Sequence, residues 1–282
     1  MRVISFNVNG VRSIATKRKN GEKTQSDQKT QSDQPTLSVL HQLIQEQQPD
    51  ILALQEIKTQ NISDLDFLKP YFTHIYINTA VKKGYSGTAI LTNHEPQLIS
   101  YNFDLYEFET DIHDKSWNTE GRAITAIFES YIVVTVYVPN AKPGLARIED
   151  RVEWEDYLRV YLEQLKEYNR PVILCGDLNV APNEIDIHKK QALKTAGASK
   201  EERSAFALLS ESHVDSFRQL YPDRREFSWW SNFAQSRERN KGWRIDLILV
   251  SKEHNNQING AAILSEYKGS DHCPVLLDIS TC

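Results

Sequence analysis

Several segments of the 282-residue chain end in side chains that can hold a hard cation or move a proton. Phe6 is followed by Asn7, Leu54-Gln55 by Glu56, and Cys175-Gly176 by Asp177 and Asn179; Ile245 is followed by Asp246, and Ser270 by Asp271-His272. Oxygen donors without thiolates suit Mg²⁺, which takes one or two carboxylates and shares the rest of its shell with water and substrate phosphate. A histidine beside such an ion can stabilise charge or deliver a proton at a phosphate. Taken singly these signals are weak. An Asp after a strand is commonly turn chemistry, Glu56 could end a strand in solvent, and an Asp-His pair is a common structural contact. Their recurrence at successive strand ends carries the weight, because strands lying side by side would bring the polar groups together at one end of the sheets.

The elements that must do this positioning are short. Apolar runs predict strands at 3–6, 51–54, 88–92, 123–128, 132–138, 172–175, 227–230, 244–250 and 275–279. Helices are expected from about 35, with Leu37, Leu40, Leu43 and Ile44 on one face, and over 146–168. Many short strands with few helices between them predict an α/β fold of two packed sheets with helices outside. The hexapeptide KTQSDQ occurs at 23–28 and again at 29–34. The stretch 16–34 has almost no apolar residue, so it is expected to be a mobile surface insertion. With no Pro/Gly/Ser linker, 1–282 is read as one domain.

Composition narrows the class. Apolar residues make up 40% and charged residues 25%, the balance of an ordinary globular protein. Lys and Arg total 33 against 38 Asp and Glu, a net charge of −5, so a polyanion could be held only by a local patch or with the help of a metal. The region 218–252 offers one: Arg218, Arg224, Arg225, Arg237, Arg239, Lys241, Arg244 and Lys252 outnumber Asp223, Glu226, Glu238 and Asp246, with aromatic residues interleaved. Three cysteines, Cys175, Cys273 and Cys282, form no C-x-x-C pair, which argues against a disulfide scaffold or a thiolate zinc site. The longest apolar stretch, 131–138, is far too short to span a bilayer, and the first residues look like a strand rather than a signal peptide.

Nine blocks in one order carry a resemblance: SFNVNG (5–10), LQEIK (54–58), KGYSGTAI (83–90), EGRAI (120–124), VYVPNA (136–141), CGDLNVAPNEIDI (175–187), FSWW (227–230), GWRIDLILVS (242–251) and GSDHCPV (269–275). Together they resemble the exonuclease III family of abasic-site endonucleases, within the endonuclease/exonuclease/phosphatase superfamily. The resemblance implies a four-layered α/β sandwich like deoxyribonuclease I, with two mixed sheets flanked by helices. It implies a DNA-repair enzyme that hydrolyses the phosphodiester 5′ to abasic sites, trims blocked 3′ ends as a 3′-phosphodiesterase and 3′-phosphatase, and acts as a 3′→5′ exonuclease on duplex DNA.

The family's roles carry over position by position. Glu56 is the expected principal ligand of Mg²⁺ (Mn²⁺ being an alternative ion), with Asn7 and Asp271 beside the metal and Asp177 and Asn179 within its reach. Asp177 is expected to activate the attacking water, and Asn179 to position it. His272 is expected to contact the scissile phosphate, oriented by Asp246. Tyr137 is expected to donate to the same phosphate or to act as a phenolate. Trp229, Trp243 and Ile245 match an apolar pocket for a flipped-out baseless sugar. Phe233 stands at the wedge position, where other members use a different residue, and Asn140 and Lys58 match substrate-binding positions. Asn9 departs from the pattern, standing where some relatives carry a metal-proximal Asp. Lys142-Pro143-Gly144 departs from relatives with an intruding Arg.

The resemblance implies double-stranded DNA with abasic sites or blocked 3′ ends as partner, no membrane, a monomer, and a cytoplasmic, nucleoid-associated location. Two rivals stand beside it. One is a phosphoesterase of the same superfamily acting on inositol phosphates or lipids, and the other a non-catalytic DNA-binding member. FSWW and GWRID argue against the first, and the presence of every catalytic position argues against the second.

Overall fold

The computed structural model describes residues 1–17, 38–108, 115–189, 191–192 and 194–281. The KTQSDQ repeat, most of the predicted 16–34 insertion, the expected helix start at 35–37 and Cys282 lie outside them. Among the described residues fourteen strands run in chain order as β1 (Arg2–Asn7), β2 (Ile51–Gln55), β3 (His74–Asn78), β4 (Thr88–Thr92), β5 (Leu98–Tyr101), β6 (Ala123–Ile127), β7 (Ile132–Tyr137), β8 (Val172–Asp177), β9 (His213–Asp215), β10 (Trp229–Trp230), β11 (Gly242–Trp243), β12 (Asp246–Ser251), β13 (Ile258–Ile263) and β14 (Val275–Ile279). They form one mixed sheet in the order β13-β14-β1-β2-β4-β3, a second in the order β5-β6-β7-β8-β12-β9, and the ribbon β10-β11.

The apolar runs are continuous rather than alternating because both faces of each sheet are covered. Val3, Ile51, Ala53 and Ile90 of the first sheet meet Ile124, Val133, Ile173, Ile248 and Val250 of the second in a core between the sheets. Ile4, Phe6, Leu52 and Leu54 point the other way, onto helices α1 (Val11–Ile14) and α2 (Val39–Gln47). Val134, Val136, Leu174 and Leu249 point outward from the second sheet onto α3 (Ile148–Leu165) and α4 (Lys200–Leu209). Three apolar layers between two sheets and two sets of helices make the four-layered sandwich that was expected. In α3 the core side is written as Trp154, Leu158, Tyr161, Leu162 and Leu165, a helical repeat.

Pattern reading overlooked β3, β5, β9, β13 and α4. Strand β3 lies at a sheet edge and is only half-buried throughout. The ladder between β13 and β14 shifts register near Asn259-Gly260, which hides the period of two. For α4 a signal was present, because Ser199-Lys200-Glu201-Glu202 spells a capping box, and it forms. The helical stretch expected over 146–168 is α3 followed by a single tight turn at Lys166–Tyr168.

One buried titratable group makes stability depend on pH. His213, at the start of β9, is 1% exposed. Its Nδ1 pairs with Ser212 Oγ at 2.9 Å, while its Nε2 is buried with no partner. Burial, with the Lys166 charge adding to it, pushes the imidazole down to about 4. The unfolded histidine takes up a proton below about 6.5 and the folded one only below about 4. The unfolded state therefore binds more protons between those values, and stability falls as pH falls through that window. The expected result is that the wild-type melting temperature drops roughly 5 °C more than that of His213→Gln between pH 6.5 and 4.5. Equal acid slopes in the two proteins would remove His213 from this role.

Candidate active site

Strand direction explains why the polar ends meet. β1 and β2 are parallel and in register at Asn7↔Gln55, so Asn7 and Glu56 emerge at the same end of the first sheet. β14 runs antiparallel to β1 with Ser5 opposite Val275, which returns Asp271 and His272 to that end. In the second sheet β7 and β8 are parallel with Tyr137 opposite Asp177, and antiparallel β12 begins with Asp246 opposite Asp177. Gly176 is required here: it has φ +149°, and a Cβ would stand 1.9 Å from the Val136 carbonyl oxygen.

The two sheets are tied together at this end. Asn7 Nδ2, buried between them, donates to Glu56 Oε1 at 2.8 Å and to Asp177 Oδ2 at 2.9 Å. One step deeper Gln55 Nε2 donates to Thr135 Oγ1 at 2.9 Å. Asp177 Oδ1 accepts from the Asn179 backbone N–H at 2.9 Å, and Asn140 Nδ2 donates to Asn179 Oδ1 at 2.8 Å. His272 Nδ1 lies 2.9 Å from Asp246 Oδ2, which also accepts from Ser228 Oγ at 2.7 Å. The other ring nitrogen, Nε2, lies 3.9 Å from Asp177 Oδ2. Asn9, Glu56, Lys58 and Asn179 all have φ near +50°, so left-handed backbone is concentrated at the site.

Electrostatics sets the protonation states. Burial favours the neutral Glu56 carboxyl, yet the Lys58 ammonium at 2.7 Å, the Asn7 donor and the His272 charge hold it below its usual range. Burial raises the proton affinity of Asp177; Asp246 and Glu56 add to the rise, and His272 opposes it. Burial also works against a charged His272, but Asp246 outweighs it and keeps the imidazole protonated well above its ordinary range. Tyr137 is pushed far up by burial and by the negative Glu56 and Asp177, against the Arg122 guanidinium 4.8 Å from its ring centre. That favours the hydrogen-bond donor over the phenolate for Tyr137.

The donor set fits a hard divalent ion. Glu56, Asp177 and His272 offer ligand atoms within 4.8 Å of one another. A protonated His272 has no lone pair to give, so the carboxylates and the carboxamide of Asn7 are the groups that could hold such an ion. Asn9 explains how a neutral residue serves beside them. Its Nδ2 donates to Asp271 Oδ1 at 2.9 Å while its Oδ1 accepts from Lys58 Nζ. A carboxylate at that position could not make the first of these bonds.

A cleft of about 250 Å³ opens over this cluster. Glu56, Tyr137, Asn140, Asp177, Asn179, Asp271 and His272 line it together with Trp229, Trp243 and Ile245. Trp229 and Trp243 meet edge to face with ring centres 6.0 Å apart. Asn7 and Asp246 lie beneath this surface, Lys58 stands beside Glu56, and Phe233 projects from a neighbouring turn with 82% of its surface exposed. Ala196 and Gly197, which pattern reading did not single out, complete the wall facing Trp243.

The basic count over 218–252 overstated the charge available at the surface. Arg218 and Arg244 both converge on buried Asp186, and Arg244 also pairs with Asp215. Arg237 stacks on Trp230 and donates to the carbonyls of Ser270 and Tyr267, pinning the segment that carries Asp271 and His272. These guanidiniums shape the site from behind. Charge run alone could not distinguish them from solvent-facing ones.

The sequence profile of the endonuclease/exonuclease/phosphatase family matches residues 4–272. The chain is 44% identical to the exodeoxyribonuclease of Bacillus subtilis (strain 168) over 283 aligned positions, covering 99% of this chain and 100% of that one. It is 36% identical to the DNA repair nuclease APEX1 of Danio rerio, covering 98% of this chain and 81% of the relative. Among solved structures, the AP endonuclease LMAP of Leishmania major superimposes with a TM-score of 0.77 at 27% identity, over 98% of this chain and 86% of that one.

Proposed function

The chain belongs to the endonuclease/exonuclease/phosphatase family, in its exodeoxyribonuclease and abasic-site endonuclease branch, and from that premise we propose that it is a Mg²⁺-dependent DNA-repair nuclease of base excision repair. It hydrolyses the phosphodiester 5′ to an abasic site, leaving a 3′-hydroxyl on one side and a 5′-phosphate on the other, and it clears blocked 3′ ends and trims duplex DNA 3′→5′. It works as a monomer in the cytoplasm, on the nucleoid. One observation carries the reading: a carboxylate–histidine cluster and an apolar tryptophan pocket share a single cleft.

Each residue then has a task. Asp177, with its raised proton affinity, takes the proton of the attacking water, and Asn179, held by Asn140, orients that water. His272, kept charged by Asp246, stabilises the negative charge that develops on the phosphate. Tyr137 donates to the same phosphate. Glu56, Asn7 and Asp271 would hold the magnesium ion, which would supply neutralisation of the phosphate charge. Trp229, Trp243 and Ile245 receive a sugar without its base, and the absence of a base makes extrusion from the helix cheaper. Phe233 supplies the apolar wedge. Among the described residues no helix is long and apolar enough to cross a membrane.

A gel assay tests this with two end-labelled duplexes, one carrying a central tetrahydrofuran abasic analogue and one intact, each with Mg²⁺ or EDTA. A single incision product from the abasic duplex, lost in EDTA, is the expected result, with a slower 3′ ladder from the intact duplex. Hydrolysis of inositol phosphates with neither DNA cut would overturn it.

A further inference from the structure

The wall opposite Trp243 is held by a side chain that an ordinary helix cap does not require. Glu202 closes the capping box of α4, but it is fully buried, and its two carboxylate oxygens have separate duties. Oε2 accepts from the Gly197 N–H at 2.8 Å, the Ser199 N–H at 3.0 Å and Ser199 Oγ at 2.7 Å. Oε1 accepts from Arg151 Nε of α3 at 3.2 Å. Arg151, also fully buried, donates through Nη2 to the Leu178 carbonyl at 3.0 Å, in the turn between Asp177 and Asn179. Gly197 in turn accepts from the Ala181 N–H at 2.7 Å. A buried ion pair of this kind adds little net stability over an apolar replacement, whereas breaking it by removing one partner is costly. What it does add here is a fixed distance between the hydrolytic turn and the wall.

We propose that Glu202 is a positioning residue that holds the Gly197 backbone packed against Trp243, and so fixes the shape of the tryptophan pocket and its preference for a baseless sugar over an intact nucleotide. This rests on the function proposed above. The tolerance is small: Gly197 has φ +81°, and a Cβ on it would stand 2.8 Å from Trp243 Cζ3 and 3.6 Å from the Asn179 carbonyl oxygen. A shift of a few tenths of an ångström in this wall changes what fits against Trp243. In Glu202→Gln one carboxylate oxygen becomes an N–H₂ donor, which faces either the Arg151 donor or the backbone donors of Gly197 and Ser199.

The test reads a ratio, cleavage of the tetrahydrofuran duplex over cleavage of the intact duplex. A loss of folded protein lowers both rates together and cancels. Glu202→Gln is expected to lower this ratio by ~10-fold or more, by loosening the wall. Gly197→Ala is expected to lower it comparably, by pressing on Trp243. Leu209→Ala, a core variant on the same helix, serves as the destabilised control and keeps the wild-type ratio. A wild-type ratio in Glu202→Gln overturns the proposal, whatever its melting temperature. So does a loss confined to Gly197→Ala, since the wall would then matter without Glu202 keeping it. If Glu202→Gln does not fold, Gly197→Ala decides alone: a lowered ratio supports the packing of Gly197 on Trp243 as the determinant, and an unchanged one overturns it. Wild-type protein that cuts neither duplex fails the function itself and is recognised as that different result.

Discussion

Asp177→Asn lowers turnover on an abasic duplex by about 10³-fold or more, while the dissociation constant for uncleaved abasic DNA, measured in EDTA, stays within about threefold of wild type. The two halves have separate causes. Asp177 is buried at the floor of the cleft, and its proton affinity is raised by that burial and by Asp246 and Glu56. It can accept a proton from water; an amide of the same shape cannot. In the proposed function DNA affinity rests on phosphate contacts and on the Trp229–Trp243 pocket, which the substitution leaves in place. One internal bond survives, since the amide oxygen can still accept from the Asn179 N–H. The contact from Asn7 Nδ2 is lost, because donor would meet donor. Retention of more than about a tenth of wild-type turnover would take the proton-accepting role away from Asp177.

Glu56→Gln has its main effect on the metal. The carboxylate is held ionised by Lys58 and Asn7, and it leaves the end of β2 in left-handed backbone that aims it into the cleft. Replacing it with a neutral amide removes a full negative charge from the expected principal ligand. The magnesium concentration giving half-maximal cleavage is expected to rise by about 10- to 100-fold, with part of the activity recovered at high metal. Removing the charge also leaves the Lys58 ammonium without its carboxylate partner, so binding of uncleaved DNA phosphate in EDTA is expected to hold or tighten slightly. An unchanged magnesium requirement would mean that Asp177 and Asp271 hold the ion without Glu56.

Much of the site was legible because its residues fall at places that local pattern marks. An apolar run followed by a carboxylate is visible in any window of a few residues. Asn7, Glu56, Asp177, Asp246, Asp271 and His272 all stand at such places, and the nine ordered blocks imply their roles. Two packed sheets with helices outside followed from the same runs, and the resemblance implied the four-layered sandwich; the runs are continuous because strands covered on both faces lose their alternation. Elements at edges or irregularities, such as β3 and β13, carry weaker versions of it and were missed.

Sequence by itself therefore determined which residue types stand at the strand ends, the acidic total that demands a local site, and the family to which the chain belongs. Only the tertiary structure decided where the charges go. Whether Arg218, Arg237 and Arg244 face DNA or turn inward depends on partners such as Asp186 and the carbonyls of the 265–272 segment, and no periodicity encodes partners. The Asn7–Asp177 bond closes 170 residues of chain, and the Arg151–Glu202 pair closes 51. Pairings at such separations are set by how two sheets and two helices pack, through contacts whose strength depends on distance and burial. Residue identity alone leaves both unspecified.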